Sequence, residues 1–128
     1  MTLAGQRFCA LPGLYAVCRL SPEAAVPGWA GGSFCSVTRT ADELSVICAA
    51  GQVPADVCAE RDWRVLKITG PFPFSATGVL ASFASPLADA GISLLAVATY
   101  ETDYVLVKAP AFERAVAVLV AAGHQPAG

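Results

Sequence analysis

The side chains of this sequence that could act as nucleophiles or metal ligands are few, and their spacing forms no catalytic or metal-binding motif. The sequence has five cysteines and one histidine, and no two cysteines are separated by the two residues typical of zinc or redox pairs. The histidine, His124, lies near the C-terminus between Gly123 and Gln125, where we expect a frayed surface position. The sequence therefore predicts no metal site, no cofactor and no catalytic nucleophile.

The acidic residues also lack the arrangement of a general acid and base. Ten aspartates and glutamates are scattered along the chain, and we find no phosphate-binding loop or nucleophile elbow. Cys18, Cys35 and Cys48 lie in apolar, β-prone runs, and we interpret them as small core residues in a reducing cytosol. Because no export signal is recognisable either, the sequence predicts a cytoplasmic protein that is not an enzyme.

Two segments have residue types that suit the recognition of a small ligand. Residues 70–78 read Gly-Pro-Phe-Pro-Phe-Ser-Ala-Thr-Gly and lead into a predicted helix, whose first N–H groups, at Thr77 and Gly78, could bind a carboxylate. Asp103, at the start of a predicted strand, could accept hydrogen bonds from an ammonium group. A free amino acid carries both groups, so the two segments are compatible with an amino-acid site.

These residues also have purely structural interpretations. Gly70 and Gly78 could serve only to let the chain cross from a strand to a helix, and Asp103 could serve only the hairpin turn. The turn role of Asp103 is the weaker interpretation, because Glu101 and Thr102 already occupy the central turn positions.

The composition restricts the partners of such a site. Hydrophobic residues make up 55% of the chain and charged residues 14%, with a net charge of -2. This composition excludes a disordered or coiled-coil protein and provides no electrostatic attraction to nucleic acid. The uncharged run at residues 68–88 is interrupted by three prolines, which argues against a membrane span. The excess of apolar residues favours a compact protein that forms oligomers.

In the first half of the chain, turn residues separate short predicted strands. Residues 14–20 form a strand, a loop rich in glycine and proline follows, and residues 34–49 alternate in polarity as a hairpin. Residues 51–62 leave room for one short helix. This half therefore looks like a strand, a loop, a hairpin and a short helix.

The second half follows a more regular order. The predicted elements are a strand at 63–69, a helix at 78–90, a hairpin at 92–100 and 103–108, and a helix at 111–122. Pro86 falls inside the first helix, so we expect a kink or a close neighbour that compensates for the lost backbone hydrogen bond.

The order of these elements predicts the fold class and the domain organisation. The β-α-β-β-α order of residues 62–128 is that of a ferredoxin-like module, an antiparallel sheet with helices on one face. Residues 1–61 look like a degenerate copy of the same module. The sequence therefore predicts an α+β protein with two modules in tandem.

The spacing of motifs in the second half resembles that of ACT domains. The segment contains Ser-Pro-Leu-Ala-Asp-Ala-Gly-Ile-Ser at residues 85–93 and Ala-Thr-Tyr-Glu-Thr-Asp-Tyr-Val-Leu-Val at residues 98–107. It is similar to bacterial tandem-ACT relatives of the CASTOR arginine sensors and to the regulatory domains of aspartate kinases. The resemblance extends from about residue 63 to the end, and residues 14–48 look like a truncated N-terminal ACT module.

The resemblance implies a regulatory or sensor protein that binds an amino acid between two ACT modules, without a chemical step. It implies a homodimer through the C-terminal module and a regulated protein as partner. The pocket could lie within one chain or across the dimer; if the second halves of two chains pair side by side, Ser93 of one chain would meet Asp103 of the other. In either arrangement Asp103 would receive the α-ammonium group. The ligand-binding residues so predicted are Gly70, Phe74, Ser75, Thr77, Gly78, Ser93, Leu94, Thr99, Tyr100 and Asp103.

The sequence restricts the ligand further and leaves one alternative function. Residues 70–78 contain no acidic side chain to pair with a guanidinium, so a neutral or aromatic amino acid suits the site at least as well as arginine. The alternative is a scaffolding dimer whose pocket is vestigial and filled by Phe72 and Phe74.

Overall fold

The computed structural model describes residues 5–73 and 76–127, which fall into two units. The N-terminal unit is Gly13–Trp63, and the C-terminal unit combines the chain up to Pro12 with the chain from Arg64 onward. In chain order, the strands are β1 (Arg7–Ala10), β2 (Tyr15–Leu20), β3 (Ser36–Arg39), β4 (Leu44–Ala49), β5 (Ala59–Ile68), β6 (Leu95–Ala98), β7 (Asp103–Lys108) and β8 (Gln125–Pro126), and the helices are α1 (Val79–Asp89) and α2 (Phe112–Ala121).

The sheet of the C-terminal unit is arranged around β5. Strand β7 pairs with β5 and with β6, β1 pairs antiparallel with β5, and β8 runs parallel to β1. Because side chains alternate across a strand, every second residue of β5 and β7 faces one side. On that side one core forms between the sheet and both helices, with Phe8, Leu66, Ile68, Val105, Val107, Phe83, Leu87 and Leu119 among its members.

The β-α-β-β-α order predicted for this unit is confirmed. Strand β7 has the predicted bounds, and each helix begins and ends one residue inside its predicted range. Strand β5 begins at Ala59, earlier than predicted, because residues 59–63 pair with β2 in the N-terminal unit. Strand β6 is shorter than predicted and covers only Leu95–Ala98.

The N-terminal strand β1 has no counterpart in the prediction. Phe8 lies opposite Ile68 in the pairing of β1 with β5, and its buried ring packs edge-on against Phe83, with centroids 5.9 Å apart. The chain up to Pro12 thus belongs with the C-terminal unit. The structural division therefore differs from the predicted boundary at residue 61, because the predicted first module included this segment.

The N-terminal unit has the strand order β3-β4-β2-β5. In place of a helix between β2 and β3, a loop covers the core, and Trp29 and Ala30 pack against it. Side chains from the sheet region hold this loop: Gln52 Nε2 donates to the Trp29 carbonyl at 3.1 Å, and Arg39 donates to two loop carbonyls. Between residues 51 and 62 the structure has the end of a 3-10 turn, Ala50–Gln52, and no longer helix.

The cysteines are free thiols. Cys18 and Cys48 are buried in the core of the N-terminal unit, so their interpretation as core residues is confirmed, while Cys35 is half-buried at its edge. Burial raises the pKa of Cys48 to about 11 and also raises the pKa values of Cys18 and Cys35. These three thiols therefore remain protonated and unreactive at neutral pH.

His124 is buried, so the predicted surface position is wrong. Its exposed fraction is 4%, and its ring stacks on Phe83 with centroids 3.9 Å apart. The Gln6 backbone N–H donates to Nδ1 at 3.0 Å, so the ring proton lies on Nε2. Nε2 in turn lies 2.7 Å from the Ser82 carbonyl oxygen, to which it donates.

This hydrogen bond compensates for the proline inside α1. Pro86 has no N–H, so the carbonyl four residues earlier, that of Ser82, has no helical donor. His124 Nε2 supplies the missing hydrogen bond from the C-terminal segment. The close neighbour predicted from Pro86 is therefore confirmed, and it is His124.

We expect His124→Ala to lower the free energy of unfolding by about 2–4 kcal/mol, because it removes a buried ring and leaves the Ser82 carbonyl unpaired. Pro86→Ala, which restores a helical N–H, is expected to recover about 1 kcal/mol more stability in the His124→Ala background than in the native background. Urea denaturation of the four proteins measures this coupling.

The matched control is Gln125→Ala, since the Gln125 side chain is exposed, and we expect it to change stability by less than about 0.5 kcal/mol. An equal effect of Pro86→Ala in both backgrounds would show that His124 does not replace the lost donor.

Candidate functional site

A pocket lies in the C-terminal unit between the turn of the β6–β7 hairpin and the segment that leads into α1. Its volume is about 240 Å³. We call it the hairpin pocket, and its lining residues are Phe72, Pro73, Ala76, Val79, Ala98, Thr99, Tyr100, Glu101, Thr102 and Asp103. The pocket therefore combines the two segments that the sequence indicated as ligand-binding.

The hairpin turn is closed by its own threonines. The Thr99 N–H and hydroxyl both donate to the Thr102 carbonyl at 2.9 Å, and the Thr102 N–H donates to the Thr99 hydroxyl at 3.3 Å. The buried Thr102 hydroxyl donates to the Ile68 carbonyl at 2.6 Å, which attaches the turn to the end of β5. Both hydroxyls therefore position the turn, and Tyr100 and Glu101 project from it.

The segment after β5 packs closely on this turn. The Phe72 N–H donates to the Glu101 carbonyl at 2.9 Å. A Cβ atom on Gly70 would lie only 2.9 Å from the same carbonyl oxygen and 3.1 Å from the Thr102 Cβ. Gly70 thus has a packing role, as its structural interpretation holds, and it does not line the hairpin pocket.

The other side of the pocket is the N-terminus of α1. Gly78 precedes the helix with φ 79°, no side chain among the described residues caps the helix, and its first turn contains no acidic residue. The first N–H groups of a helix have no partner within it and carry a partial positive charge. Val79, the first helical residue, lines the pocket, so this end of α1 borders it.

Two carboxylates line the pocket, whereas Asp103 alone was expected. Asp103 is half-buried and Glu101 is exposed. No residue in the described part of the chain donates a hydrogen bond to the Asp103 carboxylate or forms an ion pair with it. The pocket lining contains no lysine, arginine or histidine, so the side chains here favour a ligand with a cationic group.

The structure brings together some of the predicted site residues and separates others. Thr99, Tyr100 and Asp103 share the hairpin pocket, and Gly78 adjoins it through Val79. Thr77 is exposed and outside the lining, and Phe74 and Ser75 lie outside the described residues.

Ser93 and Leu94 lie at the other end of β6 from the turn. They precede Leu95, the first residue of β6, whereas Ala98 pairs with Asp103 at the turn. Five residues of extended chain span roughly 16 Å, so Ser93 does not reach Asp103 within one chain. Ser93 is exposed, and Leu94 packs against the core.

Sequence reasoning missed Val79 and Glu101 as pocket residues. Val79 has an apolar side chain at the helical spacing of core residues. This pattern predicts a core position and gives no sign that the start of the helix borders a pocket. Glu101 occupies a central turn position. A side chain at such a position can be exposed to solvent without lining any cavity. The position of Glu101 two residues before Asp103 in the sequence was the available signal.

Within residues 5–73 and 76–127, no three histidine, cysteine, aspartate or glutamate residues come together in a way that could hold a metal ion. Neither helix in those ranges is long and apolar enough to cross a bilayer.

Comparison with known proteins identifies two matching family models and a clear structural relative. A model of the ACT domain matches residues 59–121, and a model of an N-terminal domain matches residues 13–56. The crystal structure of protein Atu0741 from Agrobacterium tumefaciens is 39% identical in sequence, with a TM-score of 0.92 over 98% of this chain and 94% of that chain.

More distant structures share the fold alone. Protein VC0802 from Vibrio cholerae, described as a protein of unknown function and possible transport protein, is 21% identical, with a TM-score of 0.76 over 93% of this chain and 91% of that chain. The ligand-free regulatory subunit of aspartate kinase from Thermus thermophilus is 13% identical, with a TM-score of 0.60 over 88% and 93%. No curated protein matches the sequence significantly.

The close approach of Gly70 to the hairpin turn predicts that Gly70→Ala destabilises the protein. The added methyl group would contact the Glu101 carbonyl oxygen at 2.9 Å, and we expect a loss of about 1–3 kcal/mol. Gly51→Ala is the matched control, because a Cβ atom there has no neighbour within 4 Å. Equal melting temperatures for the two variants would contradict this packing role.

Proposed function

Since the chain belongs to the ACT-domain proteins, with the domain at residues 59–121 and Atu0741 as a relative, we propose that it binds a free amino acid in the hairpin pocket. Binding regulates an unidentified cytoplasmic partner protein and involves no chemical step. One observation carries this proposal: among residues 5–73 and 76–127, the N-terminus of α1 has no side-chain anion, the Asp103 carboxylate has no cationic partner, and both border the same pocket.

The two ends of that arrangement complement the two charges of an amino acid. The ligand's carboxylate accepts hydrogen bonds from the first N–H groups of α1, next to Val79. Its ammonium group donates to Asp103, a charge-assisted hydrogen bond. Thr99 and Thr102 orient the turn from which Asp103 continues into β7.

The size and walls of the pocket restrict the ligand's side chain. A volume of about 240 Å³ is below the roughly 300–1,000 Å³ of pockets for drug-sized ligands. Phe72, Val79, Ala98 and Tyr100 form apolar walls, which favour a neutral or aromatic side chain. Glu101 at the rim offers a second acceptor, so basic amino acids belong among the ligands to be tested.

The alternative of a scaffold with a filled pocket is less well supported. Phe72 is half-buried and packs against the core of the C-terminal unit, and it forms a wall of the pocket rather than filling it. Phe74, the other proposed plug, lies outside the described residues. The open volume beside Phe72 favours the binding function.

We also propose that the N-terminal unit is a degenerate ACT module. Its strand order β3-β4-β2-β5 corresponds to the order β6-β7-β5-β1 in the C-terminal unit. In each unit, the second strand of a hairpin pairs with the strand that precedes the hairpin in the chain. A further antiparallel strand pairs with the other edge of that preceding strand. The loop carrying Trp29 occupies the chain position of the first helix.

A homodimer through β6 would bring Ser93 to the pocket. Among the described strands, β6 pairs with β7 alone, and its Leu95 is 37% exposed. Two β6 strands paired antiparallel about a two-fold axis, centred between residues 96 and 97, place Ser93 of one copy opposite Tyr100 of the other. The pocket would then combine residues from both chains.

The amino-acid site predicts that Asp103→Asn weakens binding by at least about tenfold, because the ammonium group loses its charged acceptor. All twenty amino acids are first compared by thermal shift, and those that raise the melting temperature are measured by calorimetric titration. Asp89→Asn, an exposed carboxylate at the end of α1, is the control and should leave affinity unchanged. No heat and no thermal shift with any amino acid would refute the proposal.

The dimer predicts that Leu95→Lys dissociates the protein, because a lysine in each edge strand would place a charge in the seam between the two strands, opposite Ala98 of the other copy. Sedimentation velocity at micromolar concentration should show a dimer for the native chain and a monomer for the variant. Val120→Lys makes the same change on α2, where Val120 is 48% exposed, and should remain dimeric. A monomeric native protein would rule out this arrangement.

A further inference from the structure

A second pocket, of about 270 Å³, lies on the other side of the hairpin turn from the hairpin pocket. We call it the Lys67 pocket. Its lining residues are Cys9, Lys67, Thr69, Gly70, Pro71, Glu101 and Thr102. It shares only Glu101 and Thr102 with the hairpin pocket, so the turn is a wall common to two cavities.

The strand pairing places a cation in this pocket. Lys67 lies opposite Cys9 in the pairing of β5 with β1. Its neighbours in β5, Leu66 and Ile68, belong to the core beneath the helices, so Lys67 faces away from the helices. Lys67 is half-buried, and its side chain makes no hydrogen bond or ion pair within residues 5–73 and 76–127.

An ammonium group that is partly removed from water gains from a nearby anion. Glu101 also lines the pocket and is exposed, yet it does not pair with Lys67. The Lys67 ammonium therefore stands available to an anion that enters the cavity, with the Thr69 hydroxyl as a further donor.

We propose that the Lys67 pocket is a second ligand site, which binds a small organic monocarboxylate. The ligand's carboxylate pairs with Lys67, and its carbon chain lies against Cys9 and Pro71. Glu101 at the rim repels a second negative charge, which disfavours dicarboxylates and phosphate esters. This site differs from the amino-acid site in its charge, because the lining of the hairpin pocket contains no cationic side chain.

The test is an NMR titration of the ¹⁵N-labelled full chain with sodium butanoate at constant ionic strength. We expect saturable shifts at the amides of Cys9, Lys67 and Thr69. Butanamide, which has nearly the same shape and no charge, and succinate, which has a second charge, should each bind at least about tenfold more weakly. Shifts from butanoate that do not saturate, or that equal those from butanamide, would overturn the proposal.

The decisive variant is Lys67→Gln, which should weaken butanoate binding by at least about tenfold. Arg7→Gln is the matched control, because Arg7 is an exposed cation on the neighbouring strand β1, and affinity should not change. If Lys67→Gln does not fold, Thr69→Phe, at an exposed position, should block the pocket and abolish the shifts. Equal weakening by Arg7→Gln, or retained binding in the folded Lys67 variant, would refute the site.

The result is independent of the amino-acid proposal. Asp103→Asn should leave butanoate binding unchanged, and Lys67→Gln should leave amino-acid binding unchanged. If the protein binds butanoate but no amino acid, the amino-acid proposal fails. If it binds an amino acid but not butanoate, the proposal of a Lys67 site fails. A shared dependence on both residues would contradict the separation of the two pockets.

Discussion

The hydrogen bond from His124 to the carbonyl of Ser82 joins the segments on which the C-terminal unit depends. A proline inside α1 leaves that carbonyl without a helical donor, and the imidazole supplies one at 2.7 Å. The other ring nitrogen accepts from the backbone of Gln6, which lies next to strand β1. One side chain thus connects the N-terminal strand, the first helix and the C-terminal end. Because the ring also stacks on Phe83, this polar contact is part of the apolar core.

The geometry of the site follows from a second set of short contacts, at the end of β5. The Thr102 hydroxyl attaches the hairpin turn to β5, and the absence of a side chain at Gly70 lets the next segment approach the same turn. Phe72 is then held against Glu101 by a backbone hydrogen bond. The turn is therefore a fixed wall, with one cavity on each side. Backbone hydrogen bonds and the two threonine hydroxyls determine its position, and neither the Glu101 nor the Asp103 carboxylate takes part in them.

Charged groups are distributed on both sides of this wall. The hairpin pocket has two carboxylates and a helix N-terminus, and the Lys67 pocket has one lysine and the shared Glu101. The buried thiols have raised pKa values, and His124 uses both ring nitrogens within the structure. The thiols of Cys18 and Cys48 and the imidazole of His124 are thus held in the core. The side chains that face the cavities carry complementary charges, which is the requirement for recognising a small charged molecule.

The sequence by itself determined the elements whose signals are local. Alternating polarity, helical spacing and turn residues were sufficient for α1, α2 and β7, and Pro86 indicated either a kink or a neighbour that replaces the lost backbone donor. They also brought Thr99, Tyr100 and Asp103 together, because these residues belong to one turn. Only the tertiary structure decided that β1 pairs with β5, that His124 is the replacing donor, that Glu101 lines both pockets and that Gly70 packs against the turn. Each of these depends on contact between segments far apart in the chain, and neither periodicity nor residue propensity carries information about which distant segments meet.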